Sequence, residues 1–111
     1  MAEYGEWNRK GASLSDKTAR KEYNVDQEFI IKGIDTGKLE YRYSSVWGSP
    51  FIRILRSELE EYITAELGSE YLMKAKARTE LKKIKQEIAK LEKELDELQA
   101  KKVELENALS E

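Results

Sequence analysis

The chain has 111 residues, of which 38% are charged and 40% hydrophobic. This composition is too polar for a single compact domain of that length, so part of the chain is predicted to be a long helix that needs little hydrophobic core. It has neither Cys nor His, which excludes disulfides, thiolate metal sites and the usual general base, so we expect no enzymatic activity, metal or cofactor. Residues 9–56 carry ten basic against six acidic residues, whereas residues 57–111 carry ten against fourteen. An anionic partner is therefore expected for the first half only.

The first twelve residues are interpreted as an N-terminal arm. They lack the apolar core of a signal peptide, and the longest strongly apolar run of the chain, Phe29 to Ile31, has three residues. No membrane span is therefore predicted, and we expect a cytoplasmic protein. Trp7 precedes the first helix signal and is expected to fold over the domain as an anchor.

A first helix is predicted to begin at Ser13 or Ser15, either of which can cap it, and to run to about Tyr23. Asn24 and Val25 then form a short turn. A second helix follows directly, so the two helices have the spacing of a helix-turn-helix.

The second helix is predicted over residues 26–36, capped by Asp26. Gly37 lies where a left-handed residue would close this helix. The Gly37-Lys38 pair does not fit a phosphate-binding loop, because Leu39 takes the place of the required Ser or Thr. Lys38 either follows the cap without a further role or contacts a DNA phosphate.

Residues 38–55 are predicted to form two short strands around a Gly48-Ser49-Pro50 corner. Most aromatic side chains of this hairpin are expected to pack on the helices, whereas Trp47 is expected to be exposed near the tip. Ser57 and Glu60 form a capping-box pattern, so a third helix is predicted to start at Ser57. Gly68 and Ser69 either break or bend the chain after it, which places the head over residues 13–67.

Residues 14–63 resemble the winged helix-turn-helix domain of excisionases and of the mercury-resistance-regulator (MerR-like) family. The similar segments are "LSDKTARKEYNVDQEFIIKGIDTGKLEYR" and "FIRILRSELEEYI". The buried alanine of the family's first helix corresponds to Ala19, and the turn after it to Asn24-Val25. The opening of the recognition helix corresponds to Asp26-Gln27-Glu28, and its two core positions to Ile30 and Ile34. The family's Gly-Lys-Leu signature corresponds to Gly37-Lys38-Leu39. The resemblance implies a mainly α fold with three short helices, a two-stranded wing and a long helix behind.

The resemblance also implies duplex DNA as the partner, read by helix 26–36 and the wing 38–55. Gln27 and Lys32 carry the side chains on that helix that can read bases. DNA along both helices and the wing would meet further basic residues at its phosphates. The predicted DNA-binding residues are Lys17, Arg20, Lys21, Gln27, Lys32, Lys38, Arg42, Arg53 and Arg56. The alternative is a solvated surface with scattered charges, in which Arg53 or Arg56 pairs with Glu58 or Glu60.

Residues 68–111 are predicted to form a coiled-coil dimerisation helix. Apolar residues recur at alternating spacings of three and four, interrupted by Lys102. The predicted seam is Leu81, Ile84, Ile88, Leu91, Leu95, Leu98, Lys102, Leu105 and Leu109. A single helix cannot bury this seam, so we expect a homodimer, and a partner of another kind stays open. Charge pairs favour a fully overlapped antiparallel pair, with Lys102 near the partner's Ile84, over a parallel one.

Two functions are compatible with these features. The first is a dimeric DNA-binding protein, a transcriptional regulator or an accessory DNA-architecture factor, with a packaging factor similar to phage small terminase subunits as a variant. The second is a non-enzymatic protein-interaction or scaffold module whose head does not bind DNA. The acidic opening of the second helix, together with Ile31 and Trp47, favours the second.

Overall fold

A computed structural model describes residues 4–110, except for the side chains of Tyr4 and Val46. The chain is mainly helical, with a small antiparallel sheet of three strands and a long C-terminal helix, which confirms the predicted class in outline. In chain order the elements are α1 (Tyr4–Asn8), β1 (Ser13–Ser15), α2 (Asp16–Tyr23), α3 (Gln27–Asp35), β2 (Tyr41–Val46), β3 (Ser49–Leu55), α4 (Arg56–Leu67) and α5 (Ser69–Ser110).

Strand β1 was not predicted. Its three residues pair antiparallel with the end of β3, so that Leu14 lies opposite Ile54, and the sheet order is β1-β3-β2. Ser13 therefore belongs to a strand rather than to a helix start. Ser15 is the N-cap of α2, where its hydroxyl accepts a 3.1 Å hydrogen bond from the Thr18 N–H.

The main core lies between the inner face of the sheet and the helices. Its fully buried members come from α2, α3, β3 and α4: Ala19, Ile30, Ile54, Leu59 and Ile63. Trp7 and Leu55 are buried outside this cluster. Because neighbouring strand residues point to opposite faces, Leu55 lies on the face opposite Ile54. The buried Trp7 side chain confirms the predicted anchor.

Helix α3 ends in the way that the sequence predicts. Gly37 has φ of 78° and its N–H donates to the Ile34 carbonyl, while the Lys38 N–H donates to the Gly33 carbonyl over 2.8 Å. These two bonds form a Schellman motif, which satisfies carbonyls at the helix end. The chain then turns back so that Leu39 packs against Gly33.

The hairpin turns one residue earlier than predicted. Val46 pairs with Ser49, so the loop is Trp47-Gly48, with φ of 54° and 83°. Positive φ at both positions is the pattern of a type I′ turn, which suits the strand twist. Pro50 lies within β3, beyond the part that β1 pairs, and has a neighbour on only one side.

The predicted capping box at Ser57 is wrong. Strand β3 runs into α4 without a loop, so the helix begins at Arg56 and the capping position, Leu55, has no side-chain acceptor. The Ser57 hydroxyl instead donates to Glu6 over 2.7 Å. At the other end, Gly68 has φ of 96° and separates α4 from α5, so of the two predicted alternatives the chain has the break rather than the bend.

The chain divides into two compact units, Met1–Ala77 and Arg78–Glu111, which are called the head and the coil below. The predicted boundary after residue 67 coincides with the break between α4 and α5. The head extends further because the first turns of α5 pack on it: Ala75 is buried, and Lys76 pairs with Glu60 over 3.4 Å. Over residues 4–110, no helix is both long and apolar enough to cross a membrane.

Candidate nucleic-acid interface

Helices α2 and α3 are joined by a turn of three residues, 24–26. Asn24 is left-handed (φ 54°, ψ 48°), a conformation that Asn tolerates better than most residues. The Asp26 carboxylate accepts a 2.8 Å hydrogen bond from the Phe29 N–H and caps α3. The Gln27 amide donates to Asp16 over 3.1 Å, so the first turns of the two helices are also held together.

Helix α2 carries three predicted DNA-contacting cations on its outer side. Lys17, Arg20 and Lys21 are exposed and spaced three and four apart, which places them together, while Ala19 and Tyr23 point into the core. Within residues 4–110, none of these three side chains takes part in an ion pair or a hydrogen bond. Their charges are therefore available to a partner.

The exposed face of α3 is less suited to DNA. It presents Glu28, Ile31, Lys32 and Asp35, so its single cation has an acidic residue one turn away on each side. Gln27 is half-buried, its amide nitrogen is bonded to Asp16, and its carbonyl oxygen is buried without a partner. Helix α3 therefore offers Lys32 as its one free donor for base edges among the described residues.

Two arginines of the hairpin are directly opposite each other, on strands β2 and β3. The Arg42 guanidinium lies 4.6 Å from the centre of the Trp7 ring. Arg53 donates a hydrogen bond to the Ser13 hydroxyl of β1. Both arginines thus contact other residues of the head on the outer face of the sheet. DNA could contact them without breaking these interactions only if it approached that face.

Arg56 is the most strongly engaged of the predicted DNA contacts. Its guanidinium donates to the Tyr23 hydroxyl (2.7 Å), the Glu22 carboxylate (3.2 Å) and the Gly11 carbonyl (3.1 Å). The Tyr23 hydroxyl donates to Glu60 over 2.6 Å. Burial, helped by this bond to a carboxylate, raises the pKa of Tyr23, so the phenol stays neutral and bridges the two charges. Arg56 pairs with Glu22, not with Glu58 or Glu60.

Lys38 stands where the chain leaves α3 for the hairpin. It is exposed, and its side chain has no ion pair within the described range. Its backbone is fixed by the hydrogen bond to Gly33, so the ammonium group extends from an ordered position. Lys38 therefore joins Lys32 and the three α2 cations as a free positive charge of the head.

The hairpin exposes more aromatic surface than predicted. Trp47 is fully exposed, as expected, but Tyr43 is 72% and Tyr41 45% exposed, so the expectation that most of these rings are in the core is wrong. The two tyrosines lie on the sheet face of Ile52 and Ile54, and their rings meet edge to face at 5.4 Å. They lie on β2, which is an edge strand of the sheet and so has a strand neighbour on one side only.

Comparison with known protein families, curated proteins and solved structures yields no match for this chain. In the described part of the chain, no three acidic side chains lie close enough together to hold a metal ion.

The predicted seam of the coil is a stripe of apolar residues on α5, interrupted by Lys102. All its apolar members are exposed, from 47% at Ile84 to 86% at Leu109. Lys102 lies on the same stripe and is also exposed. Because a solitary helix leaves such a stripe in water, the coil has an apolar face available for a partner.

The structure therefore divides the nine predicted DNA contacts into two groups. Five are exposed and unpaired among residues 4–110: Lys17, Arg20, Lys21, Lys32 and Lys38. The remaining four make contacts within the head: Gln27, Arg42, Arg53 and Arg56. Tyr43 was not among the predicted site residues, and its position on an edge strand is the feature that would have indicated exposure.

Proposed function

We propose that the head is a winged helix-turn-helix that binds duplex DNA through its phosphates, and that the coil pairs two chains. In this assignment α2 and α3 form the helix-turn-helix and β2–β3 form the wing. The left-handed Asn24 turn, the Asp26 cap and the tight hairpin support it.

The observation that carries the proposal is the cluster of Lys17, Arg20 and Lys21 on one side of α2. Three cations without partners on one short helix repel one another. An anion with closely spaced charges relieves this repulsion and so binds them with the most favourable electrostatic energy. Duplex DNA has this property, and the counterions released from it supply much of the affinity of such contacts. Lys32 and Lys38 add two further phosphate contacts.

The proposed binding is tolerant of sequence. Phosphate contacts position a protein, whereas base-edge contacts select a sequence. Helix α3 offers few donors, and its Glu28 and Asp35 carboxylates are repelled by the phosphates around the major groove. An accessory DNA-architecture factor therefore fits the head better than a regulator of one defined operator.

The test is fluorescence anisotropy of a short random-sequence duplex with the full-length protein. The Lys17→Ala/Arg20→Ala/Lys21→Ala variant should bind at least about thirtyfold more weakly than wild type at low salt, because each phosphate contact contributes roughly a factor of three or more. The matched control is Lys82→Ala/Lys90→Ala/Lys93→Ala, which removes the same charge from the coil at positions outside the seam.

The control variant should bind within about twofold of wild type if local contacts dominate over net charge. An equal loss in both triple variants would show that only overall charge matters and would remove the α2 assignment. If wild type itself does not bind at low salt, DNA is not the partner.

A protein-interaction module is the second candidate, favoured by the exposed aromatic hairpin. Tyr43 and Trp47 expose 72% and 100% of their surface, and Ile31 is exposed on the acidic face of α3. Exposed aromatic side chains are enriched at protein interfaces. Under this alternative Trp47→Ala abolishes partner binding, while the α2 triple variant retains it.

A further inference from the structure

We infer that two coils pair antiparallel in one particular register, offset by a heptad from full overlap, with Leu95 packed against the partner's Leu98. This inference rests on the proposed self-association and specifies its geometry. It starts from two observations: α5 is one uninterrupted helix to Ser110, and its seam residues are exposed.

A parallel arrangement is disfavoured by Lys102. Heptad positions a and d are assigned as Leu81, Ile88, Leu95, Lys102 and Leu109 for a, and Ile84, Leu91, Leu98 and Leu105 for d. In a parallel pair each a residue faces its own copy, so two Lys102 ammonium groups would meet in the seam. The flanking Glu87 would also face the partner's Glu92. An antiparallel pair places a opposite d and separates the lysines.

Full antiparallel overlap leaves acidic residues facing each other. In that register Leu95 packs against the partner's Leu91, and the flanking positions at the centre bring Glu92 and Glu94 against their own copies. Glu87 faces the partner's Lys101 there, so attraction and repulsion partly cancel.

A shift of one heptad removes both repulsive contacts. The flanking pairs become Glu94 with the partner's Lys101 and Lys85 with the partner's Glu106, each occurring twice by symmetry, while Glu92 faces the neutral Gln99. The seam layers are Ile84–Leu109, Ile88–Leu105, Leu91–Lys102 and Leu95–Leu98. Leu109 takes the place that Leu81 has in full overlap, so apolar contact is similar in both registers and charge decides between them.

The first test measures distances between spin labels on the full-length protein. Because the chain has no Cys, single Lys90→Cys, Glu97→Cys and Glu104→Cys variants carry one label each, all on the same helix face. In the offset register the axial separations between the two labels are about 20, 2 and 22 Å, so residue 97 gives the shortest distance and residues 90 and 104 agree.

Other arrangements give different orders of distance. In full overlap, residues 90 and 97 are separated axially by about 9 and 12 Å, and residue 104 by about 33 Å. In a parallel pair all three labels give the same distance. Either pattern overturns the inference while leaving self-association intact, whereas a monomer by light scattering refutes self-association itself.

The second test is a charge-reversal cycle of Glu94→Lys and Lys101→Glu. Glu94 and Lys101 face each other only in the offset register, so each single reversal should weaken the dimer. The dimer of the doubly reversed variant should have a dissociation constant at least about tenfold lower than the one calculated by multiplying the two single effects. In the fully overlapped antiparallel pair and in the parallel pair, Glu94 and Lys101 face different residues. The change in dissociation constant of the double variant is then the product of the two single changes. A product would therefore contradict the proposed register.

Discussion

The Arg42 guanidinium lies 4.6 Å from the centre of the Trp7 ring, so a side chain predicted to contact DNA also makes a cation–π contact with the N-terminal helix. Trp7 is buried, and Leu55 on the same outer side of the sheet is buried with no exposed surface. The outer face of the sheet therefore has a small core of its own. This arrangement explains why a helix of five residues, α1, can be held in place.

Trp7→Ala should destabilise the head by about 3–5 kcal/mol, the usual cost of truncating a buried Trp. Arg42→Ala should cost less than Trp7→Ala, with about 0.5–1 kcal/mol coming from the loss of the cation–π contact to the Trp7 ring. Urea denaturation followed by circular dichroism gives both values. The matched control is Trp47→Ala, which removes the fully exposed Trp and should leave the midpoint unchanged. Equal effects of the two tryptophan variants would contradict the anchoring role of Trp7.

Arg56→Ala should lower the free energy of unfolding by about 2–3 kcal/mol, since it deletes three hydrogen bonds, one of them charge-assisted to the Glu22 carboxylate. Below its unfolding temperature the variant should bind DNA within about twofold of wild type, because Arg56 is not one of the free cations. Lys38→Ala should show the reverse, with stability unchanged and affinity reduced about threefold or more. Anisotropy and thermal melts on the same samples compare the two.

Gly33→Ala should destabilise the head by about 1–3 kcal/mol, the range for overpacking a core. A Cβ at this position would lie 2.7 Å from side-chain atoms of both Leu39 and Tyr62. Gly5→Ala is the matched control, because it also lies in a helix and its Cβ would meet nothing within 4 Å. The control should be neutral or slightly stabilising, and a stable Gly33→Ala variant would show that Leu39 can move aside.

Alkaline pH should weaken the head through Tyr23. Burial, followed by the hydrogen bond to Glu60, raises the pKa of Tyr23 above its ordinary value of 10. The unfolded chain loses this proton at lower pH than the folded chain does, so stability is full below pH 10 and falls as pH rises above it. Urea midpoints measured from about two pH units below the ordinary tyrosine pKa to about one unit above it should fall less in Tyr23→Phe than in wild type. Parallel pH profiles for the two proteins would contradict this role.

Local features of the fold were predictable from the sequence. Asn24, Asp26 and Gly37 each act on their own backbone or on residues a few positions away, so the turn, the cap and the helix end could be identified. The seam of the coil was predictable for the same reason, because its apolar residues recur every three or four positions along one helix. Strand β1 was missed because its pairing with residues 53–55 depends on contacts 38 to 42 positions apart in the chain.

The engagement of the arginines could not be predicted. Whether Arg56 faces solvent or Tyr23 depends on how β3 and α4 place it against α2, which no sequence spacing encodes. The Ser57 pattern failed for a related reason, because the direct passage from β3 into α4 moved the helix start ahead of the expected cap. Free cations could thus be distinguished from engaged ones only in the folded head.

The most direct test of DNA binding by the head is the salt dependence of wild-type affinity for a short random-sequence duplex with room for one head. Five phosphate contacts predict that the logarithm of the binding constant falls with the logarithm of salt concentration at a slope of about −4.5. The α2 triple variant should bring this slope to about −1.8, because three contacts are lost. Binding with a slope near zero, or no binding at low salt, would contradict the central claim.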